Sequence, residues 1–305
     1  MVLINACGGQ IQMCYVNAIV KSLLGIFAVP LLMMPIISNA DTNEIITGAG
    51  AHSSWVILDK LKPILEKGSG YDITLFGKQS MLGVGCNAGI KSTAQSSPQH
   101  ENFGMLCCSL HDTEISEKNL EVFPLALEPL MILRHETNPV TNLNATQIKA
   151  IFSGKITNWK EVGGLDKSIV VVTRLHCKKR PGHWKRILPA HDDFTRKRIN
   201  VQSADEAVKR VGDFRSAIGH AGTAWLRGDN SHTKIIRVNG YLPTAENVKN
   251  GNYPYFRQLS VITRNDASTQ LKDLMRRVQK EIINHADLFS EHQLLPSTAP
   301  PTELK

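Results

Sequence analysis

The sequence predicts an α/β protein in which helices cover a largely parallel sheet. Strand-like apolar runs alternate with helix-period segments from Glu44 onward. That alternation reads as βαβ units, because parallel neighbours need a crossover and the crossover is usually a helix. Glycines cluster where strands give way to helices, at Gly48 and Gly50 and again at Gly83, Gly85 and Gly89. A second alternating series begins near Thr137, so two units are expected.

Each element has a local reason. Residues 1–40 hold one charge, Lys21, followed by an uncharged run from Ser22 to Ile37 that Pro30 and Pro35 interrupt. A spanning helix needs about 20 apolar residues, so this run is too short. Ser38-Asn39-Ala40 then places small residues before a cleavage point. Positive charge, apolar stretch and small-x-small together predict a secretory signal peptide over 1–40, the alternative being an uncleaved anchor. No lipobox-type cysteine follows. Glu44 to Thr47 reads as a strand, and Ser53 or Ser54 as the cap of a helix carrying Val56, Ile57, Leu61, Ile64 and Leu65 to its end at Lys67-Gly68. Tyr71 to Phe76 is the next strand, and the glycine-rich turn opens a short helix through Lys91. Phe103 to Leu110 is a third strand, and Val122 to Leu133 a long extended stretch.

In the second unit, Thr146 to Phe152 is a helix that stops at Gly154, and Ile169 to Thr173 is a buried strand. Pro181 to Leu188 reads as a helix with proline in its first turn. Ser203 to Val211 is another, with Asp205 and Glu206 near its start. Ala217 to Gly219 is a small strand, and Arg257 to Thr263 a longer one that leads to an amphipathic helix over Thr269 to His285. Pro296 to Lys305 reads as a loose tail.

Composition narrows the function classes. The 305 residues are 42% hydrophobic and 20% charged, which excludes a disordered or wholly membrane-embedded chain. Lys and Arg number 35 against 27 Asp and Glu, a formal +8 that suits an anionic ligand, a membrane surface or nucleic acid. Aromatics barely interleave with the basic clusters at Arg174 to Arg186 and Arg196 to Arg198, so no nucleic acid is expected. Gly83-x-Gly85-x-x-Ala88 is a relaxed dinucleotide fingerprint in the wrong unit, and Ile90 breaks the Gly-Lys-Ser core of a P-loop. No nucleophile elbow and no His-Glu-x-x-His occurs.

The segment Asn142-Leu143-Asn144-Ala145-Thr146-Gln147-Ile148-Lys149-Ala150-Ile151-Phe152-Ser153-Gly154-Lys155-Ile156-Thr157-Asn158-Trp159 is distinctive. It closely resembles a signature of the substrate-binding proteins of phosphate ABC importers. Pro243 to Val248, Gly251-Asn252-Tyr253-Pro254 and the opening Gly48-Ala49-Gly50-Ala51 are similar to that family too. The resemblance implies the two-lobe periplasmic-binding-protein fold, each lobe a mixed sheet with flanking helices, joined by a β-strand hinge. It implies lobe 1 over 41–130 with 256–305, and lobe 2 over 131–255.

It further implies a ligand between the lobes, held by Ala51, His52, Ser53, Cys86, Asn87 and Cys107 from lobe 1 and by Arg174 and His183 from lobe 2. Helix N-termini and backbone N–H groups would hold oxyanion oxygens there, and Arg174 would neutralise charge. His52 or His183 could add a pH dependence near neutrality. The site motifs depart from the family pattern. His52 stands for a threonine, Cys86-Asn87 for a serine loop, and Phe103-Gly104-Met105-Leu106-Cys107-Cys108 lacks the carboxylate that accepts a phosphate proton. The Ser-Gly-Thr turn after Arg174 is replaced by a loop carrying Lys178, Lys179 and Arg180.

The reading is an exported, periplasmic solute-binding protein that captures a small anion, phosphate or another oxyanion, for an ABC importer. The alternative is a periplasmic sensor or metal-handling module that kept the fold and lost phosphate binding. No enzyme, cofactor or resident metal is expected. The partners would be the small anion and a transporter permease or membrane sensor, with the protein a monomer. Loss of the leader removes Cys7 and Cys14 and leaves Cys86, Cys107, Cys108 and Cys177. These read as disulfides, as a soft-metal site, or as buried free thiols. Four cysteines allow three pairings.

Overall fold

The computed structural model describes residues 43–76, 85–176, 180, 183–225 and 232–298. The expected leader lies outside these residues, as do Gly83, Cys177, Lys178, Lys179, Pro181 and Gly182.

The chain opens with β1 (Glu44–Gly50), α1 (His52–Glu66), β2 (Tyr71–Phe76), α2 (Cys86–Ala94) and β3 (Asn102–Leu106). As the alternation predicts, β1 lies between β2 and β3 and runs parallel to both. Ile57, Leu58, Leu61 and Leu65 of α1 are fully buried on one stripe, the face that a 3.6-residue period gives a sheet-covering helix. Gly50 has φ +137°, and a Cβ there would sit 2.1 Å from the Met105 carbonyl oxygen. Only glycine lets β1 turn into α1 this close to β3. A Cβ on Gly104 would lie 2.5 Å from the Gly89 carbonyl oxygen. The glycine of the α2 turn therefore brings helix backbone onto strand backbone.

After α3 (Asp112–Glu117), β4 (Leu120–His135) runs for 16 residues. The second unit comprises β5 (Asn142–Leu143), α4 (Ala145–Ser153), β6 (Val170–Thr173), β7 (Arg198–Asn200), α5 (Ala204–Asp213), β8 (Ala217–Gly222), β9 (Thr233–Val238) and α6 (Ala245–Lys249). The chain then returns through β10 (Phe256–Arg264), α7 (Thr269–Asn284) and β11 (Leu295–Pro296). Strand order along the sheet is β2-β1-β3-β10-β4-β8-β6-β7. The first half of β4 pairs antiparallel with β10, and its second half with β8 and β9.

The apolar cores divide accordingly. One gathers Ile46, Leu58, Phe103, Leu125, Val261 and Met275. The second unit holds one around Leu130, Ile151, Phe152, Trp159, Trp184 and Tyr253, and another around Met131, Val172 and Val211. Leu125 and Leu130 of the same strand thus serve different cores, the mark of a two-lobe fold joined by strands. In α4, the Asn144 side chain accepts the Gln147 N–H at 2.8 Å and the Gln147 side chain accepts the Asn144 N–H at 2.9 Å. This capping box, closed by Gly154 at φ 78°, explains why that segment is so legible.

Several expectations are corrected. Ala51, not Ser53 or Ser54, is the N-cap of α1, with no side-chain cap. The helix start is set by the sheet, since the Ala51 N–H donates to the Met105 carbonyl at 2.8 Å. Ser54 lies inside the helix and donates to the Leu106 carbonyl at 2.5 Å. β3 stops at Leu106 rather than Leu110, because the Cys107 N–H donates to Cys86 Sγ and Cys108 is tied to Cys86. The helix expected over Pro181 to Leu188 is a single 3-10 turn, His183–Arg186, in which Trp184 is buried and its Nε1 donates to the His176 carbonyl. The tail is less loose than expected at its start. Leu295 and Pro296 pair with β4, and the Ser297 N–H donates to the Leu125 carbonyl at 2.9 Å. Two short helices were not anticipated: α3 buries no residue and α6 only Val248, so neither shows an apolar stripe in the sequence.

Candidate functional site

The first turn of a helix leaves its N–H groups without intrahelical acceptors and at the positive end of the dipole. Four of the described α-helices satisfy this end themselves. Asn144, Ser203, Thr244 and Ser268 cap α4, α5, α6 and α7 with their side chains. In α3, Asp112 and Glu114 supply negative charge. Helices α1 and α2 have neither a side-chain cap nor an acidic residue in the first turn. The Ala51 N–H is taken by Met105, so the open groups are those of His52, Ser53 and Ser54 in α1 and of Cys86 and Asn87 in α2.

Beside α1 lies a buried charge. Arg257 of β10 is 6% exposed and its Nε donates to Glu128 of β4, 0% exposed, at 2.5 Å. Its Nη2 donates to Ser53 Oγ at 2.8 Å, and its Nη1 lies 3.1 Å from His183 Nδ1. Glu128 also accepts the Ala224 N–H at 3.1 Å. A Cβ at residue 222 would fall 2.1 Å from the Glu128 Oε1, so Gly222 makes room for that carboxylate.

His183 continues the network into the second unit. Its ring centroid is 4.6 Å from that of His176 and 5.2 Å from that of His220, whose Nε2 lies 2.9 Å from Thr173 Oγ1. His52 lies against Trp225 in a tilted arrangement, with ring centroids 5.3 Å apart. All four imidazoles titrate below their ordinary range, His176 and His183 well below it and His220 at about 3. Burial is the main cause at each. Arg174 follows at His52 and His176, the His176 ring at His183, and Arg257 at His220. The rings are therefore neutral at physiological pH, each with one N–H and one lone pair. His52 Nε2, His176 Nε2 and His220 Nδ1 are buried without a hydrogen-bond partner, an arrangement that is costly unless something fills it.

The remaining sequence-derived residues sit around this network. Arg174 follows β6, its Nε donates to the Gln202 carbonyl at 2.8 Å, and its charge reaches His52 and His176. Asn87 is exposed, and its side-chain oxygen accepts from Arg180. Arg180 also donates to Glu114 at 2.8 and 2.5 Å, and holds that carboxyl below its usual range chiefly through this hydrogen bond. Arg180 therefore joins the loop after β6 to α2 and α3, and part of its charge is already met. Cys86 carries no free thiol, since it forms a disulfide with Cys108, and Cys107 is buried beside them.

Sequence reasoning missed Arg257, Glu128 and His220; it placed His176 near the cleft without giving it a role. One signal was available. Arg257 and Glu128 are charged positions inside two strand runs, and two opposite charges inside core strands ask to be paired. A cavity of about 470 Å³ lies elsewhere in the second unit, lined by Ile151, Thr157, Ser168, Thr195 and Lys197 among others. It shares no residue with the network.

Comparisons with known proteins bear on the family and the fold. The family model of the PBP superfamily domain matches residues 109–284. The phosphate-binding protein PstS of Bacillus subtilis is 28% identical over 160 residues, 52% of this chain and 52% of that protein. The chain thus spans about half the length of that curated relative. A Clostridium perfringens substrate-binding protein solved with bound phosphate superposes at TM-score 0.68 with 22% identity, over 83% of this chain and 99% of that one. An ABC-type phosphate transport receptor from Vibrio cholerae gives TM-score 0.62 with 24% identity over the same shares.

Proposed function

The chain belongs to the PBP superfamily, and from that premise we propose that it captures a small oxyanion, phosphate or a close analogue, between its lobes for an ABC importer. The observation that carries this reading is the pair of open helix N-termini, α1 and α2, with the buried Arg257 beside α1. Uncapped N–H groups aligned with a dipole bind an anion without a lysine. Relatives named for binding phosphate support the same ligand class.

In this reading the ligand shell is Ala51, His52, Ser53, Cys86, Asn87 and Cys107 from lobe 1, with Arg174 and His183 from lobe 2. The Ala51 N–H and the Cys86 thiol are already engaged, so Cys86 would act through its backbone and Ala51 through the turn it shapes. The lone pair of a neutral imidazole such as His52 or His176 would accept the proton of a hydrogen-phosphate. That is the part a carboxylate plays in the family pattern, and no carboxylate stands at Cys107. Lobe 1 would comprise 41–130 with 256–305 and lobe 2 131–255. The protein would be exported by the 1–40 leader to the periplasm and would act as a monomer on a permease.

Calorimetric titration with phosphate, arsenate and sulfate tests this on protein freed of phosphate. Saturable phosphate binding that Arg174→Ala weakens is the expected result. Binding unchanged by Arg174→Ala, or no heat with any oxyanion, rejects it.

A further inference from the structure

Beside the open N-terminus of α2, three sulfurs meet. Cys86 begins the helix, and Cys107 and Cys108 follow β3. Their Sγ atoms all lie within 4.8 Å of one another, and all three residues are buried. Cys86 and Cys108 form a disulfide, and Cys107 is a free thiol with its Sγ 3.8 Å from that of Cys86. A structural disulfide needs two cysteines, and this cluster holds a third within reach of both.

The spacing has a chemical meaning. Thiolates bind Zn(II) at about 2.3 Å in a tetrahedron. The edge of that tetrahedron is about 1.63 times the bond, or roughly 3.8 Å. Cys86 and Cys107 already stand at this separation, 3.8 Å. The Cys107 N–H donates to Cys86 Sγ at 3.4 Å, the kind of outer bond that orients a metal-bound thiolate. Cys86 lies in the first turn of α2, where no acidic residue opposes the dipole, and such a position favours thiolate.

We propose that Cys86, Cys107 and Cys108 form a redox-controlled site for a thiophilic d10 cation, Zn(II) or Cu(I). It is open when the disulfide is reduced and closed when it forms. A dithiol reductant delivers two electrons and two protons to the Cys86–Cys108 bond, leaving two thiols and itself becoming a cyclic disulfide. Metal binding then releases the protons of the three thiols, and water fills a fourth position on zinc. Oxidation by a protein disulfide passes two electrons from the Cys86 and Cys108 thiolates to that carrier, which takes up two protons from water as it becomes a dithiol, while Cys86–Cys108 re-forms, the metal leaves and Cys107 regains a proton. This site does not depend on the anion reading.

The test uses the full chain with Cys7, Cys14 and Cys177 replaced by serine. After reduction by a phosphine and its removal without oxygen, Co(II) is added and then Zn(II). The reduced protein should develop thiolate-to-cobalt charge-transfer and tetrahedral d–d absorption that saturates at one ion per chain and bleaches with zinc. The oxidised protein should show none. Cys107→Ser still allows the disulfide, and its reduced form should lose more than about tenfold in affinity, since loss of an outer partner alone costs that much. No cobalt bands in the reduced parent, or equal affinity in Cys107→Ser, overturns the proposal. A reduced chain that circular dichroism shows unfolded, and that zinc does not refold, overturns it as well.

Discussion

Glu128→Gln tests the buried charge on which the candidate site is built. The substitution keeps the shape and leaves an oxygen to accept the Ala224 N–H, but it removes the negative charge beside Arg257. The side chains involved are 0% and 7% exposed and meet at 2.5 Å, so water cannot replace the lost partner. Removing one member of a buried pair costs about 3–5 kcal/mol. An exposed pair contributes about 0–1 kcal/mol, so the two cases separate cleanly. For a chain of this size that loss lowers the melting temperature by about 6–20 °C, taking 2–4 °C per kcal/mol. The assay is urea unfolding followed by circular dichroism, on four proteins: parent, Glu128→Gln, Arg257→Met and the double variant. The double variant should be more stable than Glu128→Gln alone, because it no longer buries an unmatched guanidinium. A loss below about 1 kcal/mol in Glu128→Gln, or a double variant that simply adds the two losses, would refute the assignment.

Three further outcomes follow from the structure. His220 titrates at about 3 in the folded protein, against an ordinary value of 6.5 for an exposed imidazole. Its contribution is complete above pH 6.5 and is lost as pH falls toward 3, at about 1.4 kcal/mol per unit. Urea midpoints should therefore drop between about pH 7 and pH 4, and His220→Gln should flatten the slope. Asn144→Ala removes one half of the α4 capping box and should cost about 1 kcal/mol in the same unfolding assay. Gly50→Ala forces a side chain into φ +137° and against the Met105 carbonyl. Strain alone is worth about 1–3 kcal/mol and the overlap adds to it, so a variant as stable as the parent would remove the close approach of β1 and β3.

The parts of the fold visible in the sequence are those dictated locally. The αβα alternation around β1 to β3, the Asn144–Gln147 box and the amphipathic α7 each state their own structure within a few residues. The segment after Arg174 does not. Its 3-10 turn depends on Trp184 reaching the His176 carbonyl and on Arg180 reaching Glu114, 66 positions away. The start of α1 likewise follows from a strand partner, Met105, and not from the serines that could have capped it. At the site, the two open helix ends could be inferred from the glycine turns. The Arg257–Glu128 pair could not be placed, because its members are 129 positions apart and meet only when β10 returns to β4. His183 could be placed at the site from the sequence, but its packing against His176 and His220 could not, since the three rings come from a loop, a 3-10 turn and a strand.

Arg257 and Glu128 are also directly opposed across the two antiparallel strands, where β4 passes from one core to the other. In mechanical terms they stand at a fulcrum. When one arm of a lever turns about a ribbon of two strands, a rung of that ribbon hardly travels, whereas a contact far from it, such as Arg180 to Glu114, would be the one to part. The stationary rung would keep Arg257 and Glu128 paired in every posture of the lobes. The Arg180–Glu114 pair would then set how firmly the jaws stay shut.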